Sequence, residues 1–397
     1  VTAALRNQVA IVGYAQSPIT KSFGRPLGAV ATEVARSAIA DAGLDVHQID
    51  GFAASALVPT AGDHAMVDGV TMVTPNWLAA QLGVNPRYAV GFQGYGQLPG
   101  SIALAVNALT ASAADYVLVH RALHNPAGSY HGSSALNARG QMQWTMPQGF
   151  FGPLPMIGLT ANEYARRYGA TREDLGVIVV ESRKNGSRLP WSVWRDKPID
   201  LEGYLDAPLI CDPVCRLDCD MPVDGVAAFV LTTAERARDL PNKPVYVAGS
   251  AGGAPTRHRL PGHWPLDDLY EVGFETARRL WERAGVGPDA VDLPQLYDGF
   301  SPFVWFWLEV LGFCPVGEAH RFIADGGIDS DRPGSLPALS GGGALGNGRM
   351  HGVPQMLECY LQLSGRAGVR QREANLAVAC HASPHLGGAV VYSATPY

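Results

Sequence analysis

The chain has 397 residues, 47% of them hydrophobic and 17% charged, with a formal net charge of −6. That length suits two or three domains with a large core, and the composition excludes a disordered chain, a coiled coil and a surface that courts a phosphate backbone overall. Six cysteines, none before Cys211, make no disulfide scaffold, and Val1 to Asn7 shows no basic stretch ahead of an apolar block, so a soluble protein of the reducing cytoplasm is expected, with no signal peptide, no membrane span and no nucleic-acid partner.

In chain order, Val9 to Gly13 is a short apolar run closed by glycine, which predicts a buried strand. Leu27, Val30, Val34 and Ala38 share one face of a helix over about Leu27 to Ala42, and Gly43 stops it. Ile49 to Ser55 reads as strand and turn. An alanine-rich helix over Gly100 to Ser112 leads into the strand Ala114 to Val119. A Gly/Ser/Pro/Gln-rich loop follows over Asn125 to Pro155, long enough to be functional. Two helices come next, Leu159 to Tyr168 and Arg172 to about Arg188, the second opened by Thr171-Arg-Glu-Asp174, an N-cap with acids in the first turn. Asp224 to Leu231 is a strand entering the second half.

Val245 to Gly249 then repeats the first strand, and Tyr270 to Ala284, stopped by Gly285, repeats the first helix. The segment Ala42-Gly-Leu-Asp-Val-His-Gln-Ile-Asp50 matches Ala284-Gly-Val-Gly-Pro-Asp-Ala-Val-Asp292 in register. A helix over Gly352 to Ser364 and a strand over Asn375 to Ala379 answer the second helix and strand of the first half. The chain therefore reads as a duplicated β-α-β-α-β unit with parallel strands sandwiched by helices. Its expected divisions are 1–120, an insertion over 121–237 that ends in a closing strand, and 238–397.

Several groups carry candidate chemistry. Tyr297-Asp-Gly-Phe300 follows a predicted strand over Val291 to Leu296, at the carboxyl end where open α/β sheets bind ligands. Arg349 and His351 lie in a loop with glycines at 341, 342, 343, 346, 348 and 352, which admits close backbone approach to an anion. Cys211, Cys215 and Cys219 lack a fourth metal ligand and read as buried thiols. Cys380 reads the same way, with His381 or His385 lining a pocket. Val9 to Ala15 lacks the glycine pattern of a dinucleotide site. Phe300 to Trp307 is apolar on every face and suits either a buried helix or a pocket or subunit wall.

Two matching halves joined by a helical insertion resemble the thiolase superfamily. Leu159-Thr-Ala-Asn-Glu-Tyr-Ala-Arg-Arg-Tyr-Gly-Ala-Thr-Arg-Glu-Asp-Leu175 is similar to its loop-domain helix pair, and Asp224-Gly-Val-Ala-Ala to the passage that closes that domain. Gly341-Gly-Gly-Ala-Leu-Gly-Asn-Gly-Arg-Met-His-Gly352 is similar to its histidine loop, and His385-Leu-Gly-Gly-Ala389 to its last glycine turn. The fold implied is a five-layer αβαβα arrangement of two duplicated halves with a helical and loop insertion.

A thiolase needs a cysteine before the helix near residue 100, and Gly91-Phe-Gln-Gly-Tyr-Gly-Gln-Leu-Pro-Gly100 has none, so an acyl-enzyme on cysteine is excluded. Cysteine lost and tyrosine gained at Tyr297 resembles the sterol-carrier-protein-X branch, nearest its bacterial steroid side-chain-cleaving aldolases. That resemblance implies retro-aldol cleavage of a β-hydroxyacyl-CoA thioester to a ketone and a shortened acyl-CoA. It implies a homodimer, joined through the strand Ala114 to Val119 and its surroundings, and a small OB-fold and zinc-ribbon partner that makes a heterotetramer. Catalysis falls to Tyr297, His351, Arg349 and Asp298, with Arg349 standing where the branch carries a second tyrosine. Gly343, Asn347, His385, Gly387 and Tyr95 are the expected substrate-binding positions.

In this reading Arg349 lowers the Tyr297 pKa, Asp298 orients its neighbours or caps a helix, and backbone N–H groups near Gly343 and Gly387 help His351 to hold the enolate oxygen. No metal or cofactor bound by the chain is expected, because the thioester itself activates the substrate. Two other functions stay open at this point, an acyl-CoA acyltransferase or hydrolase, and a non-catalytic lipid-carrier or scaffold subunit.

Overall fold

The computed structural model describes residues 5–55, 72–92, 96–124, 143–150, 152–253 and 264–397. Tyr95 and most of the loop expected over Asn125 to Pro155 lie outside the described residues.

The first half runs β1 (Val9–Gln16), α1 (Leu27–Asp41), β2 (Gly51–Ala54), α2 (Pro75–Leu82), β3 (Tyr88–Gly91), α3 (Gln97–Thr110) and β4 (Tyr116–Leu123). Then come α4 (Pro153–Tyr168), α5 (Arg172–Ser187), α6 (Leu201–Leu205), β5 (Leu209–Cys211) and β6 (Val214–Cys215), followed by β7 (Gly225–Thr233) and the short α7 (Ala234–Ala237). The second half runs β8 (Val245–Gly252), α8 (Leu266–Ala284), β9 (Leu293–Gln295), α9 (Pro302–Val310), α10 (Ala319–Ala324), α11 (Gly343–Asn347), α12 (Val353–Ser364), β10 (Leu376–His381) and β11 (Gly388–Ser393).

The large sheet has the order β3-β2-β4-β7-β1-β8-β11-β10-β9. Read outward from its centre, β1-β7-β4-β2 and β8-β11-β10-β9 are the same pattern, so the duplication is real. The expectation of parallel strands throughout is corrected. β7 runs antiparallel to both β1 and β4, and β11 runs antiparallel to both β8 and β10. In each half the last strand returns between two parallel ones. The expected dimer strand is corrected too: β4 is paired on both sides, by β2 and β7, and has no free edge. Among the described residues the outermost strand of the first half is β3.

Single residues repeat their roles. Asp50 accepts the N–H groups of Asp115 and Tyr116 at the start of β4, and Asp292 accepts those of Asn375 and Leu376 at the start of β10. A Cβ on Gly13 would stand 2.6 Å from that of Ala42, and one on Gly249 would stand 2.7 Å from the nitrogen of Ala284. Each glycine lets the helix end of its half lie against the first strand.

Alternation along the strands builds five layers. Ala227, Phe229 and Leu231 of β7 and Val390 and Tyr392 of β11 enter a central core with Ile102 of α3 and Met356 of α12. Val226, Ala228 and Val230 face the other way, against Val34 and Ala38 of α1. Ala389 and Val391 face a third core with Leu280 of α8 and the wholly buried α9. The layers are thus outer helices, first half-sheet, α3 with α12, second half-sheet, outer helices. The carboxyl ends of β4, β9 and β10 carry residues that gather at one site.

Candidate active site

Tyr297 lies two residues beyond the end of β9 and is buried. Its N–H donates to Cys380 Sγ at 3.3 Å, and its ring lies 4.4 Å from that of His381, so the end of β10 fixes it from one side. Its hydroxyl donates to Asp220 Oδ2 at 3.4 Å. Asp220 comes from the stretch that closes the insertion. Its own N–H donates to Gly299 O, and the next residue, Met221, accepts from the Arg349 N–H. The insertion is therefore stitched between the tyrosine loop and the glycine loop. Arg349 Nε stands 3.9 Å from Asp220 Oδ1.

His351 has φ of +51, between Gly348 and Gly352, which also take left-handed angles. A non-glycine residue held there costs of the order of 1–3 kcal/mol. The flanking glycines absorb the sharp turn, and Gly352 leaves room for His381, whose Cβ would lie 3.2 Å from an added one. The His351 ring is 5.7 Å from that of His381. Arg121, at the end of β4, donates to His351 Nδ1 and to the carbonyl of Ser55. The two halves thus meet here, with Arg121 from the first and the rest from the second and the insertion.

Asp298 points elsewhere. Its carboxylate is fully buried and accepts from Ser182 Oγ at 2.6 Å, Ala344 N at 2.5 Å, Leu345 N at 3.2 Å and Gln355 Nε2 at 3.1 Å. It caps α11 and ties the glycine loop to α5 and α12. Burial raises its pKa to about 6, against the pull of those donors. Gly343, at φ of +53, makes room for that carboxylate. Asn347 is buried beneath the loop and donates to the carbonyls of Gly341 and Gly343.

The backbone donors expected from the glycine loops are in part committed inside the protein, which corrects that expectation for them. Gly341 N donates to Gln295, Gly342 N to Leu339, and Ala344 and Leu345 to Asp298. Gly387 N donates to Ser383 O at 2.7 Å. His385 bonds Ser383 Oγ at 2.8 Å and meets Trp264 edge-on, and burial lowers its pKa to about 4. The Cys215 and Cys219 thiols pack on the backbone of their own turn.

The electrostatics revise the expected tyrosine. Burial first, then Asp220 and Asp298, raise the Tyr297 pKa well above its ordinary value, and Arg121 opposes them. Tyr297 is a neutral hydroxyl. Burial likewise raises Asp220, and Asp298 adds to it. His351 falls well below its ordinary value, through burial and then Arg349, Arg121 and His381, so it is neutral. Cys380 is raised by burial, and its Sγ is held between Tyr297 N and Gln295 O. A thiolate has no support there.

Sequence reasoning missed Asp220 and Arg121. Asp220 sits between Cys219 and the apolar Met221-Pro-Val, and Arg121 follows the buried apolar stretch Val117-Leu-Val119 and the buried His120 of β4. Both were signals of charge placed where burial is expected.

Residues 267–395 match the model of the thiolase C-terminal domain-like family. A 17-hydroxy-3-oxo-4-pregnene-20-carboxyl-CoA lyase of Mycobacterium tuberculosis is 32% identical over 371 residues, 91% of this chain and 92% of that protein. A steroid side-chain-cleaving aldolase of Thermomonospora curvata is 31% identical over 373 residues, 91% of each. Among solved structures, the Ltp2-ChsH2(DUF35) aldolase superposes with a TM-score of 0.82 at 28% identity, over 98% of both chains.

Proposed function

The chain belongs to the thiolase-like steroid side-chain-cleaving aldolases, carbon–carbon lyases that act on CoA thioesters, and from that premise we propose how its own residues do the chemistry. The substrate is a β-hydroxyacyl-CoA thioester on a steroid side chain, cleaved to a ketone and a shortened acyl-CoA such as propionyl-CoA or acetyl-CoA. The observation that carries the residue assignment is the neutral Tyr297 hydroxyl against the buried carboxylate of Asp220.

A tyrosinate is unavailable there, so Tyr297 relays rather than abstracts. As the substrate's β-hydroxyl proton passes to Tyr297 Oη, the tyrosine proton passes to Asp220. The Cα–Cβ bond then breaks, leaving a ketone and a thioester enolate. The same proton returns through Tyr297 to the enolate carbon, so the cycle closes without a net proton. Charge develops on the enolate oxygen, where preorganised donors contribute most, and His351 and Arg349 stand beside the relay. Asp298, Asn347 and Gly343 shape the loop that presents them. The thioester itself supplies the activation.

An acyltransferase or hydrolase of this superfamily needs a nucleophile. The thiol nearest Tyr297, Cys380, is spent on backbone contacts, which favours the aldolase over that reading. We further propose a cytoplasmic homodimer that pairs through the outermost strand β3, and a DUF35-type partner with an OB-fold and zinc ribbon that completes a heterotetramer, in line with the partner named in the Ltp2-ChsH2(DUF35) structure. Among the described residues no helix is long and apolar enough to cross a membrane.

Mass spectrometry of the products from a panel of β-hydroxyacyl-CoA thioesters, with the partner co-expressed, tests the reaction. Ketone and shortened acyl-CoA in equal amounts are expected. Free acid and CoA, or no turnover, would overturn it. Light scattering of the chain alone should give a dimer.

A further inference from the structure

Arg121 is buried with 1% of its surface exposed. Among the described residues no carboxylate pairs with it. Its Nη1 donates to the Ser55 carbonyl, its Nη2 contacts His351 Nδ1, and its Nε has no hydrogen-bond partner. Burying a guanidinium without a carboxylate is costly, so a site that keeps one has a use for it. Its position gives that use. A guanidinium has donors and no acceptor, so the His351 nitrogen it touches must present a lone pair. A neutral imidazole with a lone pair on Nδ1 carries its hydrogen on Nε2.

We propose that Arg121 is a positioning residue that locks His351 as the neutral Nε2–H tautomer, a fixed hydrogen-bond donor for the thioester oxygen as it becomes an enolate. This rests on the retro-aldol reading for the identity of that oxygen, while the tautomer itself does not. The charged and titratable groups that face His351 among the described residues bear on the same outcome. Arg121 comes from β4, Arg349 from its own loop and His381 from β10; all three disfavour the imidazolium. Tyr297 and Asp220 stand behind His381 and Arg349 and form the proton relay. The site thereby separates two tasks. Protons move along Tyr297 and Asp220, while His351 donates a hydrogen bond and keeps its proton. An imidazolium there would protonate the enolate oxygen and trap it. A histidine free to turn over would present a lone pair to a developing negative charge.

The test uses the chain with its partner, labelled with ¹⁵N-histidine, with His351→Gln to assign the signal. In the unaltered protein the His351 ring should show an unprotonated Nδ1 and a protonated Nε2, with no titration between about pH 5.5 and about pH 9. Arg121→Leu should free the ring. The Nδ1–H tautomer should then appear in its ring signals, with burial and Arg349 still holding the ring neutral. kcat should fall by roughly 10²-fold with KM little changed, as for loss of one oxyanion donor. Arg121→Lys, still a cationic donor, should retain the tautomer and most of the turnover. A protonated Nδ1 or a titrating His351 in the unaltered protein overturns the proposal. So does an Arg121→Lys protein that keeps the tautomer yet loses as much turnover as Arg121→Leu. Should Arg121→Leu fail to fold, the first and third measurements decide alone. A protein with the expected tautomer that releases no ketone overturns the retro-aldol reading and leaves the tautomer assignment supported.

Discussion

The Tyr297 hydroxyl donates to Asp220 Oδ2 at 3.4 Å, although the two residues are 77 positions apart and come from different parts of the chain. One lies at the end of a sheet strand and the other in the stretch that closes the insertion. Their pairing keeps the tyrosine neutral and puts a carboxylate behind it.

Tyr297→Phe removes the hydroxyl and keeps the ring against His381 and Phe303. Turnover should fall by roughly 10²–10⁴-fold, the range of general acid–base catalysis. KM should change little, because the lost interaction belongs to the transition state. Steady-state kinetics on the complex with its partner checks this, and near-normal turnover would remove Tyr297 from the mechanism.

Asp220→Asn should cost a similar factor and also change the pH profile. The Asp220 pKa is raised, chiefly by burial. A base must be ionised, so activity of the unaltered enzyme should drop as pH falls through that raised value, and the variant should lose this limb. For stability the sign is opposite. A raised carboxyl favours the fold most at low pH, and that contribution is lost as pH rises through its folded pKa. The variant's thermal midpoint relative to the parent should therefore improve as pH increases.

Asp298→Ala strips the acceptor from two backbone N–H groups of α11, from Ser182 and from Gln355. Buried donors left unpaired cost about 1–3 kcal/mol each before relaxation, so a loss of at least ~2 kcal/mol in urea unfolding is expected. Activity should fall with it, because the loop that carries Arg349 and His351 hangs on that cap.

Cys380→Ala should leave turnover within a few-fold, since the thiol is held protonated by burial. Alkylating reagents should likewise leave the folded enzyme active. A dead but folded Cys380→Ala protein would restore a thiol mechanism.

Gly13→Ala and Gly249→Ala test the duplication. In each a new methyl meets the end of its own helix, at Ala42 or Ala284, inside ordinary contact distance. Overpacking of this kind typically costs about 1–3 kcal/mol. Chemical denaturation should give losses of similar size for the two, as equivalent positions require.

Much of this was legible in one dimension because it depends on local rules. Glycine-ended apolar runs, the helices that Gly43 and Gly285 stop, and the matched aspartates Asp50 and Asp292 follow from spacing and turn chemistry, which neighbours in sequence control. So does the placing of Tyr297 at a strand end, and with it the resemblance that led to an aldolase. The tertiary structure alone decided which groups meet. β7 and β11 run antiparallel because each returns between two strands laid down earlier, and no local pattern records that. Asp298 reads either as a group that orients its neighbours or as a helix cap, and the fold decides for the cap: successive side chains diverge at the end of β9, and it caps α11. Asp220 and Arg121 reach the site from the insertion and from the other half. Their charges acquire meaning only when burial removes water and leaves Tyr297 and His351 as the groups they act on.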